Sequence, residues 1–232
     1  MSSLNIANED IESEVTEAIE SNEHITLNEN ENVNHEPFNY TSLVETMKAR
    51  ESRSQLEQII AQIQQEPSLT KKCVLARMFL APQSTTMETI IKNDLLIGPA
   101  TDEVSGDGHK NGINYEIKYS GHARNSKINF VQIRPDHNVD YYIFIAYNMY
   151  DTDSEIGNAY IFKVPSEVVY NLIVLYGGYA HGTVKKLGDI THENLKGRGA
   201  EYALRCNPNV RSGGPLWEAI MEYRVAYSPE NF

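Results

Sequence analysis

The sequence predicts an α/β fold, a mixed central β-sheet flanked by helices. Three observations predict it. Apolar residues recur at helical spacing up to Leu95, a stretch of β-branched and aromatic runs follows as far as Val164, and a helical pattern resumes at Pro165. The 232 residues suffice for one domain with a sizeable core plus a tail.

The elements follow in order. Residues 1–37 hold ten acidic side chains and no Lys or Arg, and bury too little to offset their ordering entropy, so a mobile acidic tail is expected. A single domain then spans 38–232. Its helical part, 38–97, starts with a pattern from Tyr40 to Gln65, carrying Leu43 and Met47 and then Leu56, Ile59, Ile60 and Ile63, stopped by Pro67. Thr70 is placed to cap a second helix carrying Cys73, Val74, Ala76, Arg77 and Leu80. Thr85-Thr-Met-Glu88 opens a third, with Ile90, Ile91 and Leu95 on its apolar side. Residues 98–165 form the sheet, with strands expected at 101–109, 113–120, 139–147 and 158–164. A short helix is expected over 126–133, through Ile128, Phe130, Val131 and Ile133. The run Val139–Tyr147 reads as a central strand buried on both faces. Pro165 starts a helix through Val168, Val169, Leu172 and Leu175. Irregular loops fill 177–214, and a helix from Pro215 to Arg224, buried through Leu216, Ile220 and Tyr223, closes the chain.

The chemistry centres on one hairpin. Asn111-Gly112 is the dipeptide preferred by a two-residue type I′ turn, since both positions need positive φ. Counting outward, Lys110 faces Ile113, His109 faces Asn114, Gly108 faces Tyr115 and Asp107 faces Glu116. Two carboxylates then share a sheet face with Lys118 and Ser120, while Ile113, Tyr115, Ile117 and Tyr119 point to the core. Like charges set opposite each other need an offset, and a divalent cation with hard oxygen ligands supplies one. Lys118 is placed to hold an attacking water or to offset charge at a phosphorus centre.

Gly106-Asp107-Gly108, the eight-residue interval after it and the strand Tyr115-Glu116-Ile117-Lys118 resemble the PD-(D/E)xK nucleases, most of all the type II restriction endonucleases. Gly106 stands where that pattern has proline. The resemblance covers roughly residues 85–165 and implies a restriction-endonuclease-like sheet and Mg²⁺-dependent cutting of double-stranded DNA at a short specific sequence, with Mn²⁺ able to substitute. It implies Asp107 and Glu116 as metal ligands, Lys118 as the residue that positions or activates water, and a homodimer matched to a palindromic site. Glu88 has two readings: a capping-box residue bonded back to Thr85, or the further carboxylate that this family often draws from the preceding helix. Ser120 lies on the active face of the strand. Gln132, Arg134 and His137 resemble a segment near the scissile strand, where Arg134 would clamp a phosphate; helix-end solvation is the plainer reading. His181, Lys185, Lys186, Arg205, Asn207 and Arg211 are loop residues of the types that read base edges or phosphates, and equally of the types found on ordinary surface loops.

Composition bears on partners. The net charge of −12 is concentrated in the tail; without it 22 acidic and 20 basic residues remain. Basic stretches at 108–137 and 185–211 leave DNA binding open. Cys73 and Cys206 have no ligand or redox spacing, so no disulfide or zinc site is expected. No Gly-rich phosphate loop points to a nucleotide cofactor, and neither a secretory leader nor a membrane span is expected. A soluble protein of a reducing cytoplasm fits.

Overall fold

In the computed structural model, which describes residues 53–80, 83–121, 127–180, 187–208 and 214–232, the apolar stripe through Ile59 and Ile63 forms helix α1, Arg53–Gln65. The chain divides into two units, Met1–Pro37 and Phe38–Phe232, and every described residue belongs to the second. The acidic segment 1–37 lies outside the described residues, as do Leu43 and Met47 of the expected first helix.

Helix α2 spans Leu69–Phe79 and is capped by Ser68, whose hydroxyl accepts the Lys71 N–H, rather than by Thr70. Helix α3 spans Gln83–Asp94 and buries Met87, Ile90 and Ile91. These three helices cover one face of a four-stranded mixed sheet. Its strands are β1 (Gly108–Lys110), β2 (Ile113–Gly121), β4 (Tyr141–Asn148) and β5 (Asn158–Pro165), in the order β1-β2-β4-β5. β2 and β4 run parallel and the other pairs antiparallel. Tyr115, Ile117 and Tyr119 pack with the helices, as their alternation predicts. A mixed sheet flanked by helices is therefore the fold. The strand expected at 101–109 shrinks to three residues, because 101–105 turns on itself around the Ser105 hydroxyl.

The other face of the sheet carries a second layer that the sequence reading did not contain. β3 (Ile128–Ile133), β6 (Gly178–Tyr179) and β7 (Tyr202–Cys206) form a separate sheet in the order β3-β7-β6. Helix α4, Ser166–Tyr176, and helix α5, Pro215–Met221, pack beside it. The segment expected as a helix over 126–133 is thus β3. Gln132 has φ 57° at an irregularity between Phe130 and Ile133, and this extra residue gives the buried positions the three-residue spacing of a helix. Within 177–214, expected as loop, β7 is an alternating strand with Tyr202, Leu204 and Cys206 buried inward. Leu175 faces solvent, and α5 ends at Met221, so Arg224 bridges back to Phe162 and Phe232 is buried. Cys73 and Cys206 are buried free thiols on opposite faces of the main sheet.

A buried ion pair joins the helical layer. Lys72 Nζ lies 2.9 Å from Asp94 and donates to the last carbonyls of α1, Ile63 O at 3.0 Å and Gln64 O at 2.6 Å. Asp94 also accepts from the Gln64 amide and the Tyr227 hydroxyl, which ties the C-terminal segment to α3. Removing one partner leaves a buried charge uncompensated. Lys72→Met should therefore cost about 3–5 kcal/mol in a urea titration, seen as a lower midpoint at unchanged slope.

Candidate active site

The hairpin forms with the expected register: Gly108 pairs with Tyr115, His109 with Asn114 and Lys110 with Ile113. Asn111 and Gly112 have φ of 54° and 81°, as a type I′ turn requires. β1 ends where β2 continues, so the N–H groups of Ile117 and Tyr119 have no partner strand on that side. Two carboxylates take them. Asp107 Oδ2 accepts from Ile117 at 2.7 Å, and Glu88 Oε1, reaching down from α3, accepts from Tyr119 at 3.1 Å. Of the two readings of Glu88, the capping box is excluded. Thr85 sits inside α3 rather than at its cap, and the Glu88 carboxylate is spent on the sheet.

The glycines flanking Asp107 fix its position. Gly106 has φ of +80°, and a Cβ there would stand 2.6 Å from Tyr115 O; a Cβ at Gly108 would stand 2.5 Å from the Ile97 side chain. Asp107 N–H donates to Tyr115 O at 2.8 Å. Lys92, one helical turn after Glu88, donates to the Asp107 carbonyl at 2.5 Å. The sequence reading missed Lys92; its signal was the i, i+4 spacing from Glu88, which puts both side chains on one face of α3.

On the polar face of β2, Lys118 Nζ stands 2.6 Å from Glu116 Oε1 and 3.9 Å from Asp107 Oδ2. Glu116 is 3 % exposed, so this face is covered as well as the apolar one. Burial pushes the Glu116 carboxyl up, Asp107 adds to the push, and Lys118 and His137 oppose it. For Lys118 burial disfavours the charge, but Glu116 and Asp107 outweigh it and hold the ammonium above its ordinary value. Burial carries Glu88 up to about 7, against the Tyr119 N–H and Lys118, which favour its charge. Two carboxylates thus lie within 4 Å of one lysine, and Glu88 feels its charge from farther off.

That donor set fits a hard divalent cation. Two carboxylates converge on one ammonium, one of them buried with its pKa raised, the other with its side chain 41 % exposed and open to water. Among the described residues no group of three or more His, Cys, Asp or Glu side chains is placed to enclose an ion alone. Water and substrate oxygens would complete the shell around the pair.

The remaining expected site residues separate. His137 acts on the Glu116 charge, and its buried Nδ1 has no hydrogen-bond partner. Its segment is fastened to β2 by Asn114, which donates to Asn138 O and exchanges bonds with Asp140. Arg134 is ion-paired at the second sheet. Its Nε and Nη2 bind Glu201 Oε1 at 2.8 and 2.6 Å, joining the end of β3 to the start of β7. Gln132 is exposed on the bulge. The Ser120 hydroxyl accepts the Asn129 N–H at 2.8 Å, linking β2 to β3. Arg205 and Asn207 lie at the end of β7, on the second sheet. His181, Lys185, Lys186 and Arg211 lie outside the described residues. No family model, curated protein or solved structure matches the chain, and no helix among the described residues is long and apolar enough to cross a membrane.

The raised Glu88 pKa makes stability depend on pH. Below about pH 4.5 the group is protonated folded and unfolded, and costs nothing. As pH rises toward 7 the unfolded chain ionises first, so the folded state loses stability, and the loss is complete above 7. Glu88→Gln keeps an acceptor for Tyr119 without the charge. Its unfolding free energy should match the parent's near pH 4.5 and exceed it increasingly up to pH 7, by ~2 kcal/mol at the plateau once partial exposure is allowed for. A difference independent of pH would contradict the assigned burial of the charge.

Proposed function

We propose that the protein is a Mg²⁺-dependent endonuclease that hydrolyses phosphodiester bonds of double-stranded DNA, acting as a homodimeric type II restriction enzyme. The observation that carries this reading is the convergence of Asp107 and Glu116 on Lys118, with Glu88 reaching the same strand at the Tyr119 N–H from the helix before it. Asp107 and Glu116 would hold Mg²⁺, or Mn²⁺ in its place. The ion would supply Lewis acidity and a more acidic bound water. Lys118, held as an ammonium, orients water and offsets charge developing on the phosphate rather than removing a proton. Glu88 takes up protons near neutral pH, and His137 adds a polar ring beside Glu116.

A second reading has one observation of its own. The 2.6 Å contact between Lys118 and Glu116 is a complete ion pair, and a non-catalytic DNA-binding module would keep it for stability alone.

Incubation of unmethylated phage-length DNA with Mg²⁺ separates these. The parent should yield discrete fragments, and Asp107→Ala and Lys118→Ala should each lower cutting at least about 100-fold while still binding DNA. A smear lost in both variants would keep the chemistry and replace site specificity by recognition of DNA structure, as in a repair or resolvase-type nuclease. Intact DNA, with no Mg²⁺ binding on titration, would leave the structural ion pair.

A further inference from the structure

The second sheet carries polar groups that the hairpin site does not use. β3 and β7 pair with Asn129 opposite Arg205 and Ile128 opposite Cys206. Asn129 gives its N–H to Ser120, away from β7, so Asn129 and Arg205 form the kind of pair in which side chains stand closest. The same register sets Lys127 opposite Asn207, and alternation puts all four on one face, opposite the buried Ile128, Phe130 and Leu204.

At the end of this face a cavity of about 300 Å³ is lined by Lys127, Arg205, Asn207, Tyr176, Pro215 and Leu216. Lys127 and Arg205 are exposed, and no carboxylate among the described residues is ion-paired with either. Asn129, beside Arg205, has a buried Oδ1 without a partner. Tyr176 leaves 42 % of its surface open. Two cations with no carboxylate partner among the described residues stand at one side, with an aromatic ring and an apolar wall at the other, and suit a ligand that is anionic at one end and flat at the other. A purely apolar ligand would leave the cations unused, and a bare anion would leave the ring unused.

We propose that this cavity binds one unpaired nucleotide unit, its phosphate between Lys127 and Arg205 and its base against Tyr176. The unit comes either free or within an unpaired stretch of a strand, and for the strand source the proposal rests on the nucleic-acid reading above. Ser120 supports that source. It follows Lys118 by two residues on the same face of β2, about 7 Å along the strand, and its hydroxyl touches Asn129.

The test uses the full chain without divalent ions, with a short labelled single-stranded oligonucleotide and adenosine monophosphate as separate probes. The variants are Lys127→Ala/Arg205→Ala, the charge-keeping Lys127→Arg/Arg205→Lys, and Tyr176→Ala. For a strand subsite, the double alanine variant should bind the oligonucleotide about tenfold more weakly and lower the salt slope by about 0.7, the loss of one neutralised phosphate. The charge-keeping variant should retain most of the affinity, and Tyr176→Ala should weaken binding without changing the slope. Loss of adenosine monophosphate binding alone would assign the cavity to a free nucleotide. If the parent binds neither probe, or the double alanine variant binds both as the parent does, the proposal is overturned. Failure of the nuclease reading shows separately, as absence of Mg²⁺-dependent cutting by the parent.

Discussion

β2 is nine residues long and its hairpin partner β1 only three, and the candidate site follows from that mismatch. Backbone N–H groups buried beyond the end of β1 need acceptors, since leaving one unmade costs about 1–3 kcal/mol. A third strand would have supplied carbonyls. Here Asp107 and Glu88 supply carboxylates. Satisfying the sheet edge and assembling an acidic site are therefore one event. Each of these acids has one oxygen committed to the backbone, which fixes the carboxylate plane without a dedicated orienting side chain.

The electrostatics follow from the same geometry. Glu116 projects from the covered face of β2 and meets Asp107 across the hairpin, with Glu88 close enough to add its charge. Lys118 is the counter-charge, and its ammonium is stabilised because the carboxylates outweigh its burial. Burial holds the Glu88 proton to near neutrality, and the charges of Asp107 and Glu116 add to that push. An added divalent charge would relieve Glu116 and Glu88 together. Metal affinity and the protonation of Glu88 would then be linked, with affinity rising as Glu88 ionises.

The legible parts of the sequence were those where local chemistry decides the conformation. Asn111-Gly112 fixed the turn, and the turn fixed the register from Lys110 opposite Ile113 to Gly108 opposite Tyr115; Asp107 lies just beyond the paired strand and still comes within 4 Å of Lys118. The central strand at 141–148 was visible because burial on both faces demands an unbroken apolar run. The second sheet was hidden for identifiable reasons. A bulge at Gln132 disguised β3 as a helix, and β7 is only five residues long between glycine-rich segments that read as loop. The ion pair of Arg134 was hidden for a related reason. Its partner Glu201 is distant in sequence and adjacent only once β3 and β7 pair. Side chains whose roles depend on strand pairing across sequence carry no local signal.

Gly106 departs from the pattern that the hairpin resembles, and the structure shows what the glycine does there. In the nuclease pattern that the hairpin resembles, proline precedes the aspartate, and proline holds φ near −65°. Gly106 has φ of +80°, which proline cannot adopt. The aspartate is instead placed by backbone bonds: its N–H to Tyr115, its carbonyl to Lys92, and its carboxylate to Ile117. Three separate contacts over-determine the position of Asp107, so the preceding residue needs no rigidity of its own. What it needs is room, because a side chain at 106 would strike the Tyr115 carbonyl. The departure at Gly106 is thus a consequence of how tightly the hairpin closes on Asp107, and it leaves the spacing between Asp107 and Glu116 intact.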